Sequence, residues 1–392
     1  MSLLARKYRI YPNKQQSQLI NKTIGCARYA YNTLLENYKL QLDLYNKNNK
    51  TTDKPKILEI TALKPDAPFL SEVDSLALAN SKQNLSRAFT NFFDSRNGKR
   101  KSKKVGFPSK HKKSKCKLSY TTNNQNGTIR IVDGLIKLPK IGFVRLVEHI
   151  PFTGTIRSVT VTQERNNTYY VSVLADVVDE KQQVKQYNGV DKLRVVGIDM
   201  SYSSFAIDSD NNSDDTKPKY VRQYRVNERR RRRLNRRISK CEKGSNNRAK
   251  ARIRLANMDR YIANCRMDYC HKMSKYYASK YDVIVLEDID LSTIGKGLRG
   301  ANKSVSDMGF GMFRDMLSYK CKRYDSLLLY ADKWYASSKT CNYCGSVNKG
   351  LRLSDREWVC PECGAIIERD YNAACNLRDY AYKVIREIRN TD

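Results

Sequence analysis

The chain has 392 residues, too many for one ordinary domain, so two or three folded units are expected. Its 74 Lys and Arg against 40 Asp and Glu leave a net charge of +34, far more than solubility requires. That excess predicts a polyanionic partner, because each phosphate neutralised by a side chain releases condensed counterions. An anionic membrane surface is the competing partner. No amphipathic anchor or lipidation motif supports it, and no apolar run approaches the ~18 residues of a span.

The start, Met1-Ser2-Leu3-Leu4-Ala5-Arg6-Lys7, is charged at once, unlike a secretory leader. This predicts a soluble cytosolic protein, nucleoid-associated in a prokaryote. Residues 3–12 alternate like a strand. Ile20, Ile24, Ala27, Tyr31, Leu34 and Tyr38 then recur at three- and four-residue spacing, one face of a helix. Residues 45–66 read as a connector, and Leu78, Leu85, Phe89 and Phe92 mark a second helix. The basic stretch Arg96 to Lys115 reads as a flexible loop.

Between 116 and 180 the pattern changes to alternation. Ile129/Ile131, Val144/Leu146, Val159/Val161 and Tyr169/Val171/Val173 predict an antiparallel sheet or small barrel, which the first strand could complete. A polar linker, 180–192, leads to Val195-Val196-Gly197-Ile198-Asp199, a buried strand ending in a carboxylate. Ser204 to Ile207 reads as its return strand. From 219 to about 280 the chain is helical and very basic, with nine arginines between Arg222 and Arg237. Val283-Ile284-Val285-Leu286 is another buried strand, ending in Glu287-Asp288. A Gly- and Ser-containing loop (291–306, with Gly295, Gly297 and Gly300) has the composition of a mobile lid. A helix, a cysteine-rich segment and a last helix from about 370 complete the chain.

Eleven cysteines are present. Cys341-Asn342-Tyr343-Cys344-Gly345 and Cys360-Pro361-Glu362-Cys363-Gly364 are two knuckles, in which two sulfurs of one turn reach one ion and glycine permits the tight backbone. Four thiolates leave no open position, so the site is structural, with zinc the expected ion and iron the alternative. The other seven (Cys26, Cys116, Cys241, Cys265, Cys270, Cys321, Cys375) read as free thiols of a reducing compartment.

Asp199 and Glu287 end hydrophobic strands, and Asp370 opens a helix. Such strand ends converge on one sheet edge. Three carboxylates without basic partners would repel one another, so the set predicts divalent cations, Mg2+ or Mn2+, suited to phosphodiester cleavage. Asp288 and Glu368 are adjacent alternatives. The plainer reading is that Asp199 merely ends a strand and Asp370 caps a helix. In the basic helix, Glu228 is almost the sole acid, so Arg222, Arg225, Arg229, Arg230, Arg232, Arg233 and Arg236 are candidate phosphate contacts. Tyr38, Gln83 and Arg87 are candidates for reading bases. The three histidines lack any nucleophile motif, and no Gly-rich phosphate loop is present.

Val196-Gly197-Ile198-Asp199, Val285-Leu286-Glu287-Asp288, Ser337-Ser338-Lys339-Thr340-Cys341 through the knuckles, and Glu368-Arg369-Asp370-Tyr371-Asn372-Ala373-Ala374 together resemble the TnpB family. That family is transposon-encoded and related to type V CRISPR nucleases and Fanzor proteins. Tyr8-Arg9-Ile10-Tyr11-Pro12-Asn13 and Asn91-Phe92-Phe93 extend the resemblance nearly end to end. One departure is Glu368 where the commoner signature has Asp, a conservative change at a position that is not catalytic.

The resemblance implies an α+β multidomain fold. A wedge β-barrel (1–12 with 105–185) would carry an inserted helical recognition lobe (13–104). A RuvC-like nuclease domain of ribonuclease H type (190–335 with 365–392) would be interrupted by a zinc ribbon (336–364). It implies Asp199, Glu287 and Asp370 as the catalytic, magnesium-binding set. Cys341, Cys344, Cys360 and Cys363 would be the zinc ligands. It also implies a guide RNA that directs cleavage of matching double-stranded DNA beside a short motif read by the protein, with a monomer favoured. The competing readings are a transposase that joins strands itself and an inactive nucleic-acid-binding repressor; the intact carboxylate set argues against the second.

Overall fold

The computed structural model describes residues 2–47, 53–100, 104–147, 154–177, 193–200, 204–210, 217–219, 223–288, 309–352 and 355–391. The chain divides into two units, Met1–Asp179 and Glu180–Asp392. The linker at 180–192, the loop at 291–306 with its three glycines, and Arg222 lie outside the described residues.

In the first unit, β1 (Ser2–Tyr11) is followed by α1 (Lys14–Lys47), two short 3-10 turns and α2 (Ser75–Arg96). Six strands follow: β2 (Leu118–Asn123), β3 (Arg130–Val132), β4 (Leu135–Leu138), β5 (Gly142–Leu146), β6 (Thr155–Gln163) and β7 (Tyr169–Val177). The sheet order is β2-β6-β7-β1-β5-β4-β3, with every pair antiparallel. β1 is an interior strand: Tyr8 lies opposite Val171 and Ile10 opposite Leu146. Its alternation turns Tyr8 and Ile10 into a core shared with Ile20, Ile24, Val159 and Val171. Farther along α1, Tyr31, Leu34 and Leu35 pack with Leu78, Leu85 and Phe89 of α2. Asp74 caps α2, accepting from the Leu76 N–H at 3.0 Å.

The basic run after α2 is not a free loop. Phe107 packs edge-on to Phe89 and Phe92, at 5.4 and 5.3 Å between ring centroids. His111 stacks on Tyr31 at 4.0 Å, and its backbone N–H donates to Asn32 Oδ1 at 2.7 Å. Two aromatic side chains thus tether a segment whose lysines suggested only solvent exposure.

The second unit contains β8 (Val195–Asp199), β9 (Ile207–Asp208), α3 (Gln223–Lys240), α4 (Asn246–Lys280), β10 (Val283–Glu287), α5 (Phe310–Tyr324) and β11 (Leu327–Ala331). The hairpin β12 (Glu357–Val359) and β13 (Ile366–Glu368) and the helix α6 (Arg369–Thr391) complete it. The sheet order is β11-β10-β8-β9, with β8, β10 and β11 parallel and β9 antiparallel. One face carries Val196, Ile198, Ile284 and Leu286 against Met273 and Tyr277 of α4 and Phe313 and Leu317 of α5. The other carries Val195, Val283 and Val285 against Leu377 and Ala381 of α6. Burial on both faces explains the unbroken apolar runs of β8 and β10.

Three expectations are corrected. The return strand is Ile207–Asp208, because Phe205 takes a left-handed backbone (φ 73°) and inserts its ring among Tyr269, Phe310 and Phe313. The basic helical stretch is two helices, parted near Gly244 (φ 94°) and restarted where the Ser245 hydroxyl accepts from the Arg248 N–H. β11 is a strand that periodicity did not separate from the preceding helix; Asp325 in a left-handed conformation ends that helix.

Candidate active site and metal ribbon

β8 and β10 lie side by side with Ile198 opposite Leu286, so both end at the same sheet edge, one in Asp199 and the other in Glu287. α6 supplies the third carboxylate from its first turn. Its approach depends on Gly197, where a Cβ would collide with the backbone of Ala374 and Arg378. Asp370 is buried, 8% exposed.

The electrostatics show that the three acids are neighbours. Burial, then Glu287, then Asp370 push the Asp199 carboxyl up to about 8, against the opposing pull of Arg369 and the Met200 backbone. Burial also raises Glu287, eased by the Ser337 hydroxyl, which donates to its Oε1. The set does have basic partners, contrary to expectation. Arg369 donates to Asp370 Oδ1 through Nε at 3.0 Å and Nη2 at 2.9 Å, and Arg356 Nη1 donates to Oδ2 at 3.0 Å. Both arginines arrive through the ribbon hairpin, where the Arg369 N–H donates to the Arg356 carbonyl at 2.8 Å. Asp288 turns away to Arg314, at 3.1 Å, and Glu368 is exposed across the hairpin from Glu357.

Among the described residues, one group of potential ligands has all its donor atoms within 4.8 Å of one another: Cys341, Cys344, Cys360 and Cys363. The Sγ atoms of Cys341 and Cys363 are 3.7 Å apart, and those of Cys344 and Cys360 are 3.6 Å apart. Sulfurs bound to one zinc ion at tetrahedral corners lie about 3.8 Å apart, so the cluster fits zinc. The knuckles match in detail. Gly345 and Gly364 are left-handed (φ 78° and 72°), and their N–H groups donate to the carbonyls of Cys341 and Cys360 at 2.8 and 2.9 Å. The carboxylates are more loosely arranged, Asp370 held by its arginines and Glu287 by Ser337. Burial first, and then the charges of Glu287 and Asp370, disfavour the ionised form of Asp199.

Sequence reasoning missed Arg356 and the pair Asn372 and Asn376. The Nδ2 groups of both asparagines donate to the Thr340 carbonyl at 2.7 Å, and that of Asn376 also reaches the Ser337 carbonyl at 2.7 Å. Asn372 Oδ1 accepts from the Asn342 N–H at 2.9 Å. Two buried amides four residues apart on a helix are the signal that could have revealed this clamp between ribbon and α6.

On α3, Arg225, Arg229, Arg230, Arg232, Arg233 and Arg236 are exposed, and no described residue of that helix is buried. Arg231 instead pairs with Asp259 of α4 at 2.5 Å. In the first unit Gln83 and Arg87 are exposed on α2, whereas Tyr38 packs on Phe89 at 4.2 Å, its ring engaged in the helical core. The outward sheet face adds residues not foreseen: Lys7 lies over Tyr170, Arg9 over Tyr11, and Arg130 and Lys137 over Phe143, at 4.6–6.0 Å. The register places all of them on one side. Among the described residues no helix is long and apolar enough to cross a membrane.

Comparison with known proteins gives the family and the fold. A helix-turn-helix domain model of the OrfB group of IS605 elements matches residues 1–50, and that group's "Probable transposase" model matches 171–296. The Cas12f1-like TNB domain model matches 310–377. Cas12f1, solved with single-guide RNA and target DNA, superposes with a TM-score of 0.54 at 14% identity, over 93% of this chain and 83% of that one. The fold is therefore the mixed α+β type of Cas12f1, with a four-cysteine cluster. A protein of Streptomyces pristinaespiralis, named as a candidate RNA-guided DNA endonuclease, is 32% identical over 95% of this chain and 88% of its own length. InsQ of Escherichia coli K12, named likewise, is 26% identical over 98% of this chain and 93% of its own length. The chain belongs to the TnpB family.

Proposed function

We propose that the chain is an RNA-guided DNA endonuclease of a transposable element, cutting by metal-dependent phosphodiester hydrolysis. The observation that carries the reading is the meeting of three carboxylates at one sheet edge, with Asp199 pushed up to about 8. The second unit would be a RuvC-like domain of ribonuclease H type, and the sheet and helices of the first a wedge barrel with a recognition lobe. Asp199 and Asp370 would hold one divalent cation and Glu287 a second. Magnesium or manganese there would supply an activated water and charge at the leaving 3′ oxygen. To serve as a cation ligand, Asp370 would have to give up contacts with Arg369 and Arg356. Arg356, with a side chain 59% exposed, is placed to meet a phosphate oxygen once released. Ser337 would keep Glu287 oriented. The α3 arginines would hold the guide–target duplex by its backbone, leaving sequence to base pairing and a short motif to the protein. The partners would be a guide RNA and double-stranded DNA, with the protein monomeric and cytoplasmic.

Asp199→Ala should abolish cutting and leave RNA binding intact; retained cutting would remove the site assignment. The description of the model matching 171–296 as a transposase supports a second reading, direct strand joining. Strand-transfer products made by the purified protein without RNA would favour it.

A further inference from the structure

The chain has two tryptophans, and they are opposites. Trp358 is 7% exposed in the ribbon core, whereas Trp334 is 84% exposed. An exposed indole offers a large, stiff aromatic face on which a planar ligand can stack. The backbone beneath it is fixed. The Trp334 N–H donates to Asp332 Oδ1 at 2.8 Å, and the Tyr335 N–H donates to the Asp332 carbonyl at 2.9 Å. Tyr335 turns inward from the same bend, packing on Tyr380 and donating its hydroxyl to the Asn376 carbonyl. Trp334 also stands between two anchors to Glu287. Ala331 pairs with Glu287 in the sheet, and Ser337 donates to its carboxylate. Three residues from each, its Cα lies within roughly 11 Å of both.

A second exposed aromatic stands on the ribbon. Tyr343, between the ligands of the first knuckle, is 76% exposed. Its neighbour Asn342 is pinned by Asn372, Asn376 and Asp379 of α6, the helix that carries Asp370, at 2.9, 3.0 and 2.7 Å. Cations accompany the pair: the Lys333 ammonium lies 5.4 Å from the Trp334 ring centroid, and Lys339 is exposed between the two aromatics in the chain. Rigidly mounted aromatic faces among basic side chains, beside a carboxylate edge, fit a single strand of nucleic acid. Bases stack on the rings and phosphates meet the cations.

We propose that Trp334 and Tyr343 are positioning residues whose rings stack unpaired bases of the strand presented to Asp199, Glu287 and Asp370. The inference rests on the nuclease reading for its function, though the stacking can be measured alone.

The test is tryptophan fluorescence of the full chain titrated with an oligothymidylate, without added magnesium. The wild type should show saturable quenching. Trp334→Phe should lose it, since Trp358 is shielded, and Tyr343→Ala should weaken half-saturation roughly tenfold. Neither side chain is packed in the core, so the variants should fold. Absence of quenching, or equal quenching in Trp334→Phe, would overturn the proposal. Guided cleavage is scored separately. Quenching without cleavage keeps the platform and removes the nuclease reading. Cleavage at an unchanged rate and position in Trp334→Ala, with no quenching in the wild type, removes the platform alone.

Discussion

Asp199 is held at an energetic disadvantage. Its carboxyl loses water at the end of β8 and faces two other acids, and a raised folded-state pKa lowers stability as pH climbs. The penalty is absent below the ordinary carboxylate range and complete near pH 8. Asp199→Asn should therefore raise the melting temperature of the magnesium-free protein by about 2–4 °C, more at pH 8 than at pH 5. An unchanged or lower melting temperature at pH 8 would show that the acids are not in repulsion. Gly197 makes the opposite case, since any side chain there meets α6 backbone. Gly197→Ala should destabilise the second unit by about 3 kcal/mol or more, measured by denaturant unfolding. The carboxylates and cysteines were legible because strand ends and Cys-x-x-Cys spacing are local features. Arg356 was not, because its place beside Asp370 is set by hairpin register, a pairing between residues 356 and 369 that no local pattern displays.

At the scale of elements, the ribbon and α3 make separable contributions. The ribbon joins β11 to α6, and its asparagine clamp and hairpin fix the chain that leads into Asp370. Cys360→Ser should release zinc, seen by metal analysis, and reduce cleavage through misplacement of Asp370; normal cleavage with no bound zinc would refute this role. No described residue of α3 is fully buried, so its exposed arginines should act on a polyanion, whereas Arg231 serves the packing against α4. Replacing Arg229, Arg230, Arg233 and Arg236 with Ala should lower the slope of log affinity against log salt by about 3 while leaving the melting temperature nearly unchanged. Periodicity revealed α1, α2, β8 and β10 because each buries a regular stripe or a whole strand. It did not reveal β11, whose short apolar run follows a helix directly, nor the inserted ring of Phe205. The tethered segment around Phe107 and His111 was hidden by the lysines beside it.

For the whole molecule, the net charge of +34 calls for a polyanion, and the chain belongs to the TnpB family. Charge alone gives affinity without sequence. Selection by base pairing with a bound RNA is the economical solution. The most direct measurement purifies the chain with the RNA it retains, sequences that RNA, and offers DNA matched to its 3′ end in magnesium. An RNA-guided nuclease should yield one defined RNA species and a cut in the matched duplex that disappears in Asp199→Ala. A chain carrying no defined RNA, or one that leaves the matched duplex whole across a full set of adjacent motifs, would contradict this reading.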